Sequence, residues 1–242
     1  MLSVCIATYN GAKYIGEQLD SILSQLGPFD EVIVCDDQSD DSTLAIVEAY
    51  GDARIRVYRN GVRLRHVRNF EKAMLLSRGD FVFLSDQDDI WPPGRVKEML
   101  ARIETDPKML LVASNFDLID EKGRDIGRFR ALGPEGPSGL TQAVRILLGK
   151  APYFGCTFLM RRKIFDYCLP IPGGVESHDI WIALIASLRG AVTNISGSTL
   201  RHRIHGGNVT RKRRSLGIVL KSRYNFIVAL LCRAFRLKFW IH

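Results

Sequence analysis

Cysteine is scarce and unpaired in this sequence: Cys5, Cys35, Cys156, Cys168 and Cys232 are scattered, odd in number, and form no C-x-x-C pair. That excludes a disulfide framework and a cysteine-built zinc site, and it points to a reducing compartment. Cys5 and Cys35 lie in apolar runs, where a small buried thiol is the ordinary occupant. Long hydrophobic runs are missing too. No stretch of about 18 apolar residues occurs, which excludes a single membrane-spanning helix. The opening MLSVCIATYN lacks the basic region and long apolar stretch of a signal peptide and reads as a first strand. Acidic residues are absent from residues 211–242, which carry Arg211, Lys212, Arg213, Arg214, Lys221, Arg223, Arg233, Arg236 and Lys238. The whole chain carries +8, so residues 1–210 are nearly neutral and the basicity belongs to the tail. A near-neutral body disfavours nucleic-acid binding, which rests on a basic surface.

What is present is ordinary for a globular protein with a sizeable core: 242 residues, 46% hydrophobic and 25% charged. There is no internal repeat. The first half alternates strand-like and helix-like segments. Residues 3–7 form an apolar run that ends at the turn Thr8-Tyr9-Asn10-Gly11. Ile15, Leu19, Ile22 and Leu23 recur at helical spacing, and Gly27-Pro28 stops that helix. Strands are predicted at 31–35, 54–58, 81–84 and 109–113, with helices at 42–50, at 67–77 and after Pro92-Pro93. This order implies an α/β fold, a mostly parallel sheet with helices on both faces. Ligands of such sheets bind beyond the carboxyl ends of the strands. Two acidic groups stand there, Asp36-Asp37 and Asp86-Gln87-Asp88-Asp89. The second half is less regular. Residues 116–139 read as a loop or hairpin, 155–160 as a strand, and 179–188 as a buried helix beginning near Ser177. Composition changes abruptly near 207–215, the mark of a linker.

Asp86-x-Asp88 ends an apolar strand and precedes Ile90-Trp91-Pro92. Carboxylates alternating along an extended segment point to opposite sides. One can hold a hard divalent ion such as Mg²⁺ or Mn²⁺ while the other meets a sugar or ribose. Such an ion would offset charge building on a leaving diphosphate. The competing account is a solvated acidic turn. Asp36-Asp37 can accept from a nucleobase N–H or ribose hydroxyls, or form a plain turn in which Asp40 and Ser42 cap the next helix. In Ser177-His178-Asp179 the acid either complements a helix dipole or acts as a general base on a sugar hydroxyl, with His178 orienting it. Within LRHRIHGGN at 200–208, Arg203 and His205 either approach a diphosphate or a metal, or belong to a basic surface loop. Residues 216–241 mix apolar side chains with spaced cations. Such a segment lies in an anionic membrane interface or packs on the domain or a second subunit.

SVCIATYNGAKYIGEQLDSILSQ, VCDDQSDDST, Asn69-Phe70, FLSDQDDIWPPGRV, GCTFLM, SHDIWIALIASLRG and LRHRIHGGN occur in this order. Together, over residues 2–208, they resemble glycosyltransferase family 2, and its rhamnosyltransferase-like branch in particular. The resemblance implies a GT-A fold: a Rossmann-like, mostly parallel sheet flanked by helices. It implies one domain over 1–210, with a nucleotide-sugar-binding half (1–115) and an acceptor-binding half (116–210), and a separate basic amphipathic segment over 211–242. It implies a metal-dependent hexose transfer with inversion. The donor would be dTDP-rhamnose or a UDP-sugar, and the acceptor a glycan or lipid-linked hydroxyl in cell-surface polysaccharide synthesis.

Residue by residue, the resemblance implies that Thr8, Tyr9 and Asn10 line the nucleotide site and that Asp36 and Asp37 bind the base. Asn69, Asp86 and Arg203 would belong to the donor site. Asp88 and His205 would serve a Mg or Mn ion, and Asp179 would be the catalytic base. One departure stands out: the family often has Tyr-Arg where this chain has His202-Arg203, which puts a stacking role there in doubt but not the arginine. A sugar nucleotidyltransferase would need a glycine-rich loop bearing Arg and Lys after the first strand, and there is none. A non-catalytic sugar-binding protein would not need Asp179 beside a complete D-x-D. The chain is expected in the cytoplasm, its tail open to peripheral contact with the inner face of the membrane, with no nucleic-acid partner.

Overall fold

The structure is a computed structural model that describes residues 1–133, 139–206 and 216–239. The first half runs β1 (Leu2–Thr8), α1 (Ile15–Leu23), β2 (Glu31–Asp36), α2 (Thr43–Ala49), β3 (Ile55–Arg59), α3 (Arg65–Leu76), β4 (Phe81–Ser85) and α4 (Arg95–Glu104). Strands β3, β2, β1 and β4 pair in that order, all parallel. The near-continuous apolar composition of β1, β2 and β4 follows from cover on both faces, whereas the edge strand β3 (IRVYR) is partly buried. Alternate residues of β1 and β2 feed two cores. Cys5, Ile33 and Cys35 pack with Phe70 and Met74 of α3. Val4, Ile6, Val32 and Val34 pack with Ile15 and Leu19 of α1 and Met99 of α4. The turn before β4 needs glycine: a Cβ on Gly79 would stand 2.6 Å from the backbone nitrogen of Ser3.

The second half runs β5 (Leu111–Ile119), β6 (Asp125–Phe129), α5 (Gly139–Leu147), β7 (Phe158–Arg161), α6 (Phe165–Cys168), α7 (His178–Leu188), β8 (Val192–Arg203) and α8 (Leu216–Phe239). Here the pattern is mixed. β7 is antiparallel to both β4 and β5, β6 is antiparallel to β5, and β8 is parallel to β5. The expected hairpin is the β5–β6 pair, and β5 extends six residues beyond the strand predicted at 109–113. The expected strand at 155–160 begins as a 3₁₀ turn, Gly155–Thr157. The predicted linker at 207–215 lies outside the described residues. β8 is the longest strand, and sequence pattern does not announce it, because the segment VTNISGSTLRHR is largely polar and alternates poorly. It is held by β5 on its edge and by Arg95, a fully buried strut from α4. Arg95 Nη1 donates to the Thr199 carbonyl and Oγ1 at 2.9 and 2.6 Å, and Nη2 to the Cys156 carbonyl at 2.8 Å.

α8 packs on the body. Phe226 and Ala229 are buried in the core that includes Trp181, Ile182 and Ile185 of α7 and Ala143 and Ile146 of α5. Arg233 Nη1 donates to the Leu169 carbonyl at 2.7 Å and Nη2 to the Pro170 carbonyl, and Asn225 Nδ2 donates to the Gly174 carbonyl at 3.2 Å. Among the described residues, no helix is long and apolar enough to cross a membrane.

Candidate active site

The carboxyl ends of β1, β2 and β4 meet at one corner of the sheet. The loops beyond them are tied together from below. Asp36 is fully buried: Oδ1 accepts from Thr8 Oγ1 at 3.1 Å and Ser39 Oγ at 2.5 Å, and Oδ2 from the Ser39 N–H at 3.0 Å. Asp37 Oδ1 accepts from Asn60 Nδ2 at 2.9 Å and the Leu64 N–H at 2.6 Å, and Oδ2 from the Arg65 N–H at 2.7 Å. Asn69 donates to the Cys35 carbonyl at 2.8 Å and accepts from Asn60 at the same distance. Both Asp37 and Asn69 are buried. These residues therefore build the floor beneath the loop 60–65, and their polar atoms are engaged by the protein itself.

Above that floor, Gln87 clamps the turn after β1. The Tyr9 N–H donates to Gln87 Oε1 at 2.9 Å, and Gln87 Nε2 donates to the Tyr9 carbonyl at 3.1 Å. Asn10 holds φ 51°, a left-handed conformation that asparagine tolerates, with its N–H on Ser39 Oγ at 2.9 Å. The Arg63 guanidinium lies 3.5 Å from the centroid of the Tyr9 ring, with Nε 4.0 Å from Asp37 Oδ2. Sequence pattern gives no sign of Arg63, one of several arginines in a polar loop; only the fold carries it to Tyr9.

The acidic loop after β4 forms a second corner. Ligand oxygens of Asp86, Asp88 and Asp89 lie within 4.8 Å of one another. An antiparallel bridge between Ile90 and Arg201, two bonds of 3.0 Å, pins this loop to β8. His202 and His205 then face the acids. His202 Nδ1 lies 2.8 Å from Asp89 Oδ1, and His205 Nε2 lies 2.7 Å from Asp88 Oδ2. Burial, followed by the charges of Asp89 and Asp88, pushes the Asp86 carboxyl up to about 8. Burial also raises Asp88, with Asp89 adding to it and His205 opposing it. Burial opposes charge on His202, but Asp89 outweighs it and raises the imidazole. Asp89 Oδ2 is buried with no hydrogen-bond partner among the described residues. Three crowded carboxylates, one with an unsatisfied buried oxygen, fit a hard divalent cation in both charge and donor type. His202 therefore takes an ion-pairing place beside Asp89, with its ring edge-on to Phe116 at 5.2 Å.

Arg203 differs from expectation. Its guanidinium is buried and its donors are turned to the protein: Nη2 to Glu17 Oε2 at 2.5 Å, Nε to the Asp88 carbonyl at 2.8 Å, and Nη1 to the Asp120 and Glu121 carbonyls at 3.3 and 3.2 Å. It braces the acidic loop from behind instead of presenting a cation to a diphosphate.

Asp179 stands in the first turn of α7, capped by Ser177. Its Oδ1 accepts from Ser177 Oγ and from the Ile180 N–H at 2.8 Å. Among the described residues no donor reaches Oδ2. The Asp179 charge contributes to raising Asp86, so the two acids share one field. His178 is buried and stacks on Phe70 at 4.3 Å. Burial lowers its pKa to about 4, Asp179 opposing and His66 adding to the fall, which keeps the imidazole neutral. Gly155 lies against this turn: a Cβ there would stand 2.8 Å from His178 Nε2 and 3.6 Å from Asp179 Cβ.

The sequence matches the glycosyl transferase family 2 profile over residues 3–169. An uncharacterized glycosyltransferase of Rickettsia conorii is 26% identical over 195 residues, 76% of this chain and 31% of that protein. One of Haemophilus influenzae is 25% identical over 222 residues, 87% of this chain and 67% of that protein. The chain thus spans about a third of the length of its R. conorii relative. Among solved structures, residues 1–349 of S. aureus TarS in complex with UDP-GlcNAc superpose with a TM-score of 0.77 at 22% identity, covering 95% of this chain and 66% of that one. The same fragment in complex with UDP gives a TM-score of 0.68 at 23% identity, over 84% and 60%. These likenesses establish the fold.

Proposed function

Because the chain belongs to glycosyl transferase family 2, we propose that it moves a sugar from a nucleotide-diphosphate donor to an acceptor hydroxyl, with inversion. The observation that carries this reading is the pairing of a crowded acidic corner with a capped, open-sided Asp179 in the same electrostatic field. Thr8, Tyr9 and Asn10 would border the nucleotide, with the base beside the stacked Tyr9–Arg63 pair on the floor built by Asp36, Asp37 and Asn69. Asp86 would face the donor sugar. Asp88, with Asp89 and His205 beside it, would hold a Mg²⁺ or Mn²⁺ ion; such an ion, when bound, supplies positive charge against the leaving diphosphate. Asp179 Oδ2 would take the acceptor proton while Ser177 and the Ile180 N–H keep the carboxylate oriented. The acceptor oxygen forms its bond to the anomeric carbon as the bond to the diphosphate breaks.

Residues 1–115 would serve the donor and 116–210 the acceptor. The motif set favours rhamnose from dTDP-rhamnose; the bound ligands of the TarS structures favour a UDP-sugar. A lipid-linked or glycan acceptor in cell-surface polysaccharide synthesis suits an enzyme at the cytoplasmic face of a membrane, reached through 211–242. The test is a thermal-shift and calorimetric screen of dTDP-rhamnose, UDP-glucose, UDP-GlcNAc and GDP-mannose, each with and without Mn²⁺. Stabilisation by one donor, larger with Mn²⁺, is the expected result and names the sugar class. Binding that ignores the metal, or no response to any donor, counts against it.

A further inference from the structure

The large exposed apolar side chains are not spread evenly. Nine of the fifteen on the described surface belong to α5, the residue after it, and α8. On α8, Leu220, Tyr224, Ile227 and Leu231 recur at spacings of four, three and four, which puts them on one stripe opposite the buried Phe226 and Ala229. Leu220 is 69% exposed and Tyr224 67%. On α5, Leu140, Val144 and Leu148 follow at every fourth residue; Leu140 is 70% exposed and Leu148 63%. The two helices are neighbours over α7: Ala143 and Ile146 share a core with Phe226 and Ala229, and the Arg223 guanidinium lies 3.7 Å from where a Cβ on Gly149 would stand.

Charge distinguishes what this face can meet. Residues 139–150 and 211–242 contain no Asp or Glu, and Arg145, Lys150 and Lys221 are exposed among the apolar residues. Two copies of such a face would repel each other, whereas an anionic surface complements it. Apolar side chains flanked by cations on helices that do not span are the composition of an interfacial contact. We infer that α5 and α8 together form one membrane-docking face that binds anionic lipid. This rests on the membrane contact proposed above and gives it a second element that the tail alone does not supply. The other, buried side of α8 reaches the segment that precedes the proposed base. Arg233 and Asn225 of α8 hold the carbonyls of Leu169, Pro170 and Gly174, in the segment that leads into the turn bearing Asp179.

The test is co-sedimentation of the full chain with vesicles of phosphatidylcholine, with and without phosphatidylglycerol, no donor being present. The full chain is expected to sediment with the anionic vesicles and weakly with the neutral ones. Leu140→Glu/Leu148→Glu on α5 should weaken binding, as should Leu220→Glu/Leu231→Glu on α8. Arg145→Gln/Lys150→Gln should lower partition by about fivefold per cation removed. All these positions are exposed, so unchanged melting temperatures show that the variants fold. Full binding by both α5 variants overturns the shared face. Failure to bind either vesicle also overturns it, most directly if light scattering gives a dimer that the glutamate pairs dissolve. Vesicle binding needs no sugar transfer, so a failed donor screen and a failed sedimentation remain separate results.

Discussion

At the residue scale, Asp179 and His178 are adjacent in sequence and opposite in character. Asp179 keeps one oxygen engaged by its own helix turn and the other clear of donors among the described residues. Asp179→Asn preserves shape and both contacts on Oδ1 but removes the proton acceptor. It is expected to lower turnover by about 10²–10⁴-fold while the donor dissociation constant, read by calorimetry, stays unchanged. Near-normal turnover would remove Asp179 from the mechanism. His178 gives a stability prediction. Its pKa falls from 6.5 to about 4 on folding, so only the unfolded chain takes up this proton between those values. Stability is thus lost as pH drops from 6.5 toward 4. A His178→Phe variant, stacking on Phe70 in the same space, should lose less urea stability between pH 7 and pH 5 than the wild type does. Equal losses would show that the imidazole titrates normally.

Site residues were legible in proportion to how local their signal is. Asp86, Asp88 and Asp179 follow hydrophobic strands or open a buried helix, so position marks them as candidates, and the resemblance to family 2 supplies the roles proposed for them. Asp36, Asp37 and Asn69 are equally visible as residues. Their partners, Ser39, Asn60 and the amides of 64 and 65, come together only through the crossover from β2 to α3. Arg203 illustrates the opposite limit: nothing in its neighbours reveals Glu17, far along the chain, as its partner.

At the element scale, the parallel half of the sheet was readable because buried parallel strands are written as apolar runs. β8 was not. Its polar sequence becomes a strand because β5 offers an edge and Arg95 fastens its far side. That strand carries His202 to the acidic corner and sets His205, two residues past its end, beside it, so the least legible element is the one that completes the acidic corner. The short 3₁₀ turn at Gly155–Thr157 has a comparable influence on α7. Gly155→Ala would bring a methyl to 2.8 Å from His178 Nε2, so the buried His178 ring, stacked on Phe70, or the turn carrying Asp179 must give way. Displacement of this kind costs on the order of 10²-fold in rate when it misplaces a reacting group. The expected result is a fall in kcat with donor binding retained. An unchanged kcat would mean that the turn yields without moving Asp179.

At the scale of the whole molecule, the proposed donor corner, base and docking face are three separate regions, and metal removal tests the first against the others. EDTA is expected to abolish transfer, and Mg²⁺ or Mn²⁺ to restore it, while vesicle sedimentation stays unaltered. Full transfer in chelator would exclude a metal role for Asp88.

The five thiols carry a practical consequence of this architecture. Four are buried, and burial raises the pKa of each, Cys35 and Cys168 to about 12, so they stay protonated and unreactive. Cys232, exposed one residue past Leu231 on α8, is the exception. A polarity-sensitive maleimide would therefore label the native chain at a single point, without any engineered cysteine, and its emission would report how deeply that helix sinks when the protein meets a lipid surface.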